Sequence, residues 1–185
     1  WSNGNEGGFN YGLEPDFAFW DKQKRVVLYP WANRNGFETK HYRSYGETQE
    51  YMRQKEIFMP TEFLHGLYDG GHGAGLKDYW DMMMANPRCA GGFLWDLMDQ
   101  GVVRTDKNNY VDCMGNFGAD GIVGPHAEKE GSYYTIKEVW CPVQLTWNDV
   151  EKGELTLSNQ YNFVNLKDCR FSYRLLQMPA MGSTQ

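Results

Sequence analysis

The chain has 185 residues, 41% of them hydrophobic, which is enough for at least one packed domain. Its 18 basic and 24 acidic residues give a net charge of −6 with no cluster of Lys or Arg, which argues against a nucleic-acid partner or an anionic membrane surface. Apolar runs, such as the one at residues 26–29, are too short to span a bilayer, so no membrane segment is predicted.

Short β-type runs alternate with helical stretches over roughly the first 100 residues, the order typical of a βα protein. The predicted strands cover residues 1–6, 25–29, 39–42, 56–63 and 90–96. The predicted helices cover residues 16–24, 47–55, 76–85 and 132–139, and residues 105–131 are expected to form a loop. Pro60 has no backbone N–H to donate to a neighbouring strand, so the strand that contains it must be short or irregular.

The pattern changes after Pro142, where polar and apolar residues alternate as in half-buried antiparallel strands. Strands are predicted at residues 143–147, 154–160 and 170–177. We therefore expect one domain over residues 1–141 and the start of a second, all-β domain over residues 142–185. Because a sandwich has about seven strands, we expect both ends of the chain to be truncated.

The four cysteines, Cys89, Cys113, Cys141 and Cys169, have no spacing typical of a metal site or a disulfide framework. Aromatic residues make up 16% of the chain, and such side chains both fill cores and stack on sugar rings. Core packing is the default interpretation for most of them.

Two carboxylates, Glu6 and Glu62, each follow a predicted strand and lie 56 residues apart. Cleavage of a glycosidic bond requires such a pair, one group as proton donor and one as nucleophile or base. Barrel enzymes place these groups at the carboxyl ends of different strands. A Glu at a strand end is nevertheless more often an ion-pairing or capping residue, and spacing alone leaves that alternative open.

Four neighbours suit sugar chemistry. Asn5 is positioned to hold a sugar hydroxyl or orient Glu6, and Tyr42 to donate a hydrogen bond to the Glu62 carboxylate. His65 is a candidate ligand of a sugar hydroxyl, and Trp95 a candidate stacking platform. Taken singly, a His or a Trp of this kind is more often structural.

Five short motifs occur in an order that resembles glycoside hydrolase family 2, in particular its large β-galactosidase-like members. They are Gly-Asn-Glu at residues 4–6, Glu-Phe-Leu-His at 62–65, Asp-Tyr-Trp at 78–80, Gly-Gly-Phe-Leu-Trp-Asp-Leu-Met-Asp-Gln at 91–100 and Asp-Gly-Ile-Val at 120–123. Together they span about 120 residues, which makes the resemblance far more specific than any single motif.

The resemblance implies an α/β fold: part of a (β/α)₈ barrel, from about the fourth strand to the eighth, followed by the beginning of a β-sandwich domain. It implies a retaining β-glycosidase with a carbohydrate substrate, Glu6 as acid/base and Glu62 as nucleophile. Asn5, Tyr42, His65 and Trp95 would be substrate-site residues, Tyr42 as the partner of the nucleophile. A periplasmic or secreted location is also implied.

Cofactors are implied only in some relatives, in which the acid/base carboxylate contacts Mg²⁺ and a Phe carbonyl with an Asn side chain binds Na⁺. Phe117 and Asp120 occupy the similar positions here, and Asp in place of Asn puts the sodium site in doubt. The loop after the nucleophile is longer than in the best-known galactosidases and contains Asp69 and His72, so galactose specificity does not carry over.

Other functions remain open at this point. A non-catalytic carbohydrate-binding module or an inactive homologue would share the aromatic surface but would have no reason to keep both carboxylates. An inverting hydrolase would place its carboxyl groups about 6.5–9.5 Å apart, against about 5–5.5 Å in a retaining one. We expect the isolated chain to have no appreciable hydrolase activity.

Overall fold

The computed structural model describes residues 1–68 and 71–177 and divides the chain into two compact units, Trp1–Trp140 and Cys141–Gln185. The division lies one residue before the boundary expected from the sequence, and the assignment of these units as domains stays a prediction. Within the described residues, no helix has the length and apolar character needed to cross a membrane.

The described part of the first unit has four α-helices: α1 (Glu14–Trp20), α2 (Tyr45–Met52), α3 (His72–Met84) and α4 (Gly131–Val139). A capping box between Ser44 and Glu47 fixes the start of α2, two residues earlier than predicted. Helix α3 also begins earlier, because the glycines of its first turns permit close packing: a side chain at Gly73 would contact Thr135 of α4. The predicted helices are therefore present with shifted ends.

The strands of the first unit are short. β1 (Asn33–Arg34), β2 (Phe37–Glu38) and β3 (Ile57–Phe58) form one sheet, in which β2 and β3 are parallel. Isolated parallel bridges join Ser2 to Leu28, Phe58 to Cys89 and Phe63 to Leu94. Successive segments of the chain thus pair in parallel, as a βα protein requires. The α/β class is confirmed.

Several strand and loop predictions need correction. The strands expected at residues 1–6 and 25–29 meet only in the single bridge between Ser2 and Leu28. The strand expected at residues 39–42 lies at β2 instead, and residues 90–96 form single bridges and no continuous strand. The region predicted as a loop contains β5 (Tyr110–Asp112), which pairs with β4 (Val102–Arg104) in an antiparallel hairpin. A five-residue loop connects the two strands: a 3-10 turn at Thr105–Lys107 is followed by Asn108 and Asn109, both with positive φ, which Asn tolerates better than most residues.

The core of the first unit lies between the parallel segments and the helices α2, α3 and α4. Its buried members are Met52, Phe58, Phe63, Leu64, Leu76, Met83 and Ile136. Trp80 and Trp140 pack against each other with ring centroids 5.2 Å apart. Because Phe63 and Leu64 directly follow Glu62, this core anchors the segment that carries the predicted nucleophile.

The second unit contains β6 (Val143–Asp149) and β7 (Glu154–Asn159), which form an antiparallel hairpin. The third strand expected at residues 170–177 is wrong: these residues have no regular secondary structure. An extended segment is counted as a strand only when a neighbour supplies the ladder bonds, and none of the described residues does so here. The sandwich itself stays a prediction.

Candidate active site

A cavity of about 560 Å³ brings together all six residues that the sequence predicted for the site. Its lining consists of Asn5, Glu6, Tyr42, Glu62, His65, Tyr68, Trp95, Gln100, Phe117 and Asp120. These residues come from segments far apart in the chain, so the fold and not the local sequence assembles the cavity.

Backbone hydrogen bonds explain this assembly. The amide of Asn3 donates to the carbonyl of Leu28 over 2.9 Å, which holds the segment before Asn5 and Glu6. The amide of Tyr42 donates to the carbonyl of Glu62 over 3.3 Å, and Gly66 donates to Trp95 over 3.0 Å. Neighbouring parallel segments therefore end at the same edge and direct their polar ends into one space.

The two carboxylates lie close together. One oxygen of Glu6, one of Glu62 and Nδ1 of His41 are all within 4.8 Å of one another. Glu62 is largely buried, with 13% of its side chain exposed, whereas 49% of the Glu6 side chain is exposed. The Glu62 carboxylate is thus largely enclosed by the protein, whereas the Glu6 carboxylate is accessible to solvent.

Tyr42 holds the buried carboxylate. Its hydroxyl donates to Oε2 of Glu62 over 2.5 Å, and its ring packs against His65 with centroids 5.5 Å apart. Both Tyr42 and Glu6 have φ near +46°, in the left-handed region. That conformation costs non-glycine residues about 1–2 kcal/mol. Such strain concentrates at functional sites, where the surrounding structure holds it in place.

His41, which the sequence did not single out, lies beneath both carboxylates. Its side chain is fully buried, and Nδ1 is 3.6 Å from Oε2 of Glu62 and 3.8 Å from Oε1 of Glu6. Nε2 is 2.6 Å from the Thr61 hydroxyl. Burial lowers the pKa of His41, while the charges of Glu62 and Glu6 oppose that effect. The one sequence feature that could have identified His41 as a site residue is its position directly before Tyr42.

The far side of the cavity is organised around Asp120, which is 4% exposed. Its Oδ2 accepts hydrogen bonds from Nε1 of Trp95 at 3.1 Å and from the Gln100 amide at 3.4 Å, and it lies 3.7 Å from Nε2 of His65. The bond from Nε1 fixes the orientation of the Trp95 indole, which the sequence predicted as a stacking platform. Burial, and next the charge of Asp120, raise the pKa of the nearby Asp96 carboxyl.

The cofactors implied for some relatives are not assigned to this chain. Mg²⁺ prefers six oxygen ligands, whereas the groups around Glu6 are one further carboxylate and a buried imidazole, so these residues alone would not hold it. Asp120, at the position implied for a sodium ligand, accepts from Trp95 and Gln100 through Oδ2, while its buried Oδ1 has no hydrogen-bond partner among the described residues.

The two residues noted in the longer loop after the nucleophile, His72 and Asp69, have different outcomes. His72 is buried at the start of α3, with Nε2 2.6 Å from the carbonyl of Trp95, and it does not line the cavity. Burial lowers its pKa. It acts as a structural tie between the helix and the segment that carries Trp95. Asp69 lies outside the described residues.

Sequence comparisons identify similar proteins over most of the chain. A protein of Pectobacterium atrosepticum named Beta-galactosidase is 29% identical over 88% of this chain, and one of Priestia megaterium with the same name is 26% identical over 90%. In both cases the chain spans 18% of the relative's length. The resemblance to β-galactosidases predicted from the ordered motifs is thus confirmed.

No protein-family model matches the chain. Among solved structures, a β-glucuronidase of Faecalibacterium prausnitzii is similar with a TM-score of 0.44 and 15% identity, over 70% of this chain and 27% of that one.

Proposed function

We propose that this chain supplies the acid/base and the nucleophile of a retaining β-glycosidase of glycoside hydrolase family 2, and that it is part of a longer protein. The observation that carries the proposal is the placement of Glu6 and Glu62, whose nearest ligand atoms lie within 4.8 Å across one cavity. The similarity to proteins named Beta-galactosidase supports the same reaction class.

Geometry favours retention over inversion. An inverting enzyme needs room for a water molecule between its carboxyl groups, about 6.5–9.5 Å, whereas direct attack needs about 5–5.5 Å. One oxygen of Glu6 and one of Glu62 lie within 4.8 Å of each other, and this close approach of the two carboxylates supports the proposed retaining reaction. The parallel pairing of successive segments supports a partial barrel, with the site at the carboxyl ends of its strands.

In the first step, Glu62 attacks the anomeric carbon and Glu6 donates its proton to the departing glycosidic oxygen. In the second, Glu6 takes a proton from water, which attacks the same carbon and releases Glu62. The environments suit these roles. Glu62 is buried and held by Tyr42, so it is aimed at one point, and the partly exposed Glu6 is accessible to both the leaving group and water.

The remaining lining residues bind the sugar in this proposal. Trp95, with its indole held by Asp120, offers a flat face for the C–H groups of the ring. His65 and Asn5 offer polar groups for its hydroxyls, and both line the cavity.

The test is hydrolysis of p-nitrophenyl β-galactoside by the longer protein that carries this chain, with the product anomer followed by NMR. We expect the configuration to be retained. Glu62→Ala should lower kcat more than ~1,000-fold and Glu6→Ala about 100- to 10,000-fold.

Azide should restore turnover of Glu62→Ala and give the α-galactosyl azide, because a small anion can fill the space of the missing carboxylate. Glu50→Ala, on the exposed surface of α2, is the matched control and should be unaffected. Wild-type activity in Glu62→Ala would exclude this nucleophile. Saturable binding of sugars, with no turnover of any aryl β-glycoside, would favour a carbohydrate-binding module instead.

A further inference from the structure

The buried imidazole of His41 has a nitrogen whose environment the proposed reaction does not explain. Its Nδ1 has no hydrogen-bond partner, although the side chain is fully buried. A buried polar atom left without a partner is costly, and native structures rarely keep one without a reason. This nitrogen faces Glu62 and Glu6, at 3.6 and 3.8 Å.

We propose that Glu6, His41 and Glu62 form a binding site for a divalent transition-metal ion such as Zn²⁺, and that the bound ion excludes the sugar. The site would hold the ion through Nδ1 of His41 and one oxygen of each carboxylate, atoms that lie within 4.8 Å of one another. Two carboxylates and one imidazole are a ligand set typical of zinc.

The distances fit a site that contracts around the ion. Zinc–nitrogen and zinc–oxygen bonds of about 2.0–2.2 Å place tetrahedral ligand atoms about 3.3–3.6 Å apart. The two nitrogen–oxygen distances are 3.6 and 3.8 Å, at the upper end of this range and just above it. The two carboxylate oxygens, within 4.8 Å of each other, have further to move. Two carboxylates without an ion repel each other, and Glu6, half exposed, is free to close the remaining gap.

The outer contacts of His41 also suit a ligand. A metal-binding His usually donates its other ring N–H to an acceptor, which fixes the ring. Here Nε2 is 2.6 Å from Oγ1 of Thr61, whose own hydroxyl donates to the carbonyl of Thr39 at 3.3 Å. When an ion is bound to Nδ1, the ring proton is on Nε2. Nε2 then donates to the Thr61 hydroxyl, and that hydroxyl donates to the carbonyl of Thr39.

The nitrogen ligand sets the selectivity. Imidazole suits Zn²⁺ and other late divalent ions, whereas Mg²⁺ and Ca²⁺ require oxygen ligands. The site also includes Glu62, so it differs from a magnesium contact to the acid/base group alone. An ion held between the two carboxylates would occupy the position of the anomeric carbon, so metal and sugar would compete. This last point rests on the proposed function, whereas binding of the ion does not.

The test is isothermal titration of the protein with ZnCl₂, with folding of each variant verified by circular dichroism. We expect one Zn²⁺ per chain at this site. His41→Gln and the isosteric Glu62→Gln should each weaken binding more than ~100-fold, because loss of an outer contact alone costs about 10–100-fold. His126→Gln, at an exposed histidine remote from the cavity, is the matched control and should leave the affinity unchanged.

Visible absorption of bound Co²⁺ provides a second readout, and the change in its spectrum should be lost in both variants. Equal Zn²⁺ affinity in folded His41→Gln, or no binding by the folded wild type, would overturn the site. In the active protein Zn²⁺ should raise KM for the glycoside without changing kcat, and excess Mg²⁺ should not relieve this effect. Zinc binding without glycoside turnover would refute the proposed function alone, whereas turnover without zinc binding would refute the metal site alone.

Discussion

The Tyr42 hydroxyl donates a hydrogen bond to Oε2 of Glu62 over 2.5 Å. A hydrogen bond to a charged group contributes about 1.5–3 kcal/mol, and here it both orients the carboxylate and stabilises its ionised form. Tyr42 adopts a left-handed backbone conformation to reach this position. Because this backbone conformation is unfavourable for a residue other than glycine, its presence is evidence that the contact between Tyr42 and Glu62 is important to the site.

Tyr42→Phe should therefore lower kcat of the longer protein about 10- to 100-fold, with a smaller change in KM, because the ring still lines the cavity and only the donor is lost. Steady-state kinetics on p-nitrophenyl β-galactoside measure this effect. Tyr45→Phe is the matched control: it removes the same atom from a ring at the start of α2 that does not line the cavity. An unchanged kcat in Tyr42→Phe would show that the hydroxyl has no part in the reaction.

Sequence reasoning at the residue scale succeeded where a motif contains the functional side chain itself. Asn5, Glu6, Tyr42, Glu62, His65 and Trp95 all line the cavity. It missed His41, because the value of that residue lies in a distance of less than 4 Å to two distant carboxylates. It also placed His72 in a loop, whereas His72 is the first residue of α3 and its side chain is buried.

The elements around the site meet at Gly66. Its amide donates to Trp95, and the space beside its Cα is filled by the carbonyl of Asp120 and the ring of His72. A Cβ at Gly66 would overlap the carbonyl oxygen of Asp120 and lie 2.5 Å from the His72 ring. Because Gly66 has no side chain, the segment after Glu62 can pack directly against α3 and against the loop that contains Asp120.

Gly66→Ala should therefore cost about 1–3 kcal/mol of unfolding free energy through overpacking and lower Tm by roughly 3–10 °C. Thermal unfolding followed by circular dichroism measures the effect. Gly46→Ala is the matched control, since Gly46 lies in α2 with nothing within 4 Å of an added Cβ, and Ala favours the helix. If the two variants unfold at the same temperature, Gly66 is not a packing constraint.

At this scale the sequence predicted α1 to α4 with shifted ends, because helix signals are local: apolar spacing in α3 and α4, and in α2 the capping box between Ser44 and Glu47. Strand lengths were less predictable. Pro60 interrupts the donor pattern, and segments such as residues 90–96 pair through single bridges only. Pairing depends on partners elsewhere in the chain, which a local pattern does not specify.

Several large apolar side chains are exposed in both units. On α1, Phe19 is 74% and Trp20 is 77% exposed, and in the second unit Phe163 and Tyr173 are 99% and 95% exposed. Scattered apolar residues are normal on a surface, but adjacent aromatic residues mark contact regions. The similar β-galactosidases are about five times as long as this chain, since it spans 18% of their length. We therefore expect other parts of a longer protein to cover these residues and to complete the sugar site.

The 185-residue chain alone should thus bind the dye 1-anilinonaphthalene-8-sulfonate strongly and hydrolyse p-nitrophenyl β-galactoside at least ~1,000-fold more slowly than the longer protein. We expect this because, if the chain is part of a longer protein as proposed, residues outside 1–185 would supply further contacts to the sugar. Dye fluorescence and initial rates at equal molar concentration measure both effects, and circular dichroism verifies that the chain is folded. Full activity of the isolated chain would show that residues 1–185 already contain every group the reaction needs. Weak dye binding together with low activity would instead show that the exposed aromatic residues need no partner, and that only the sugar site is incomplete.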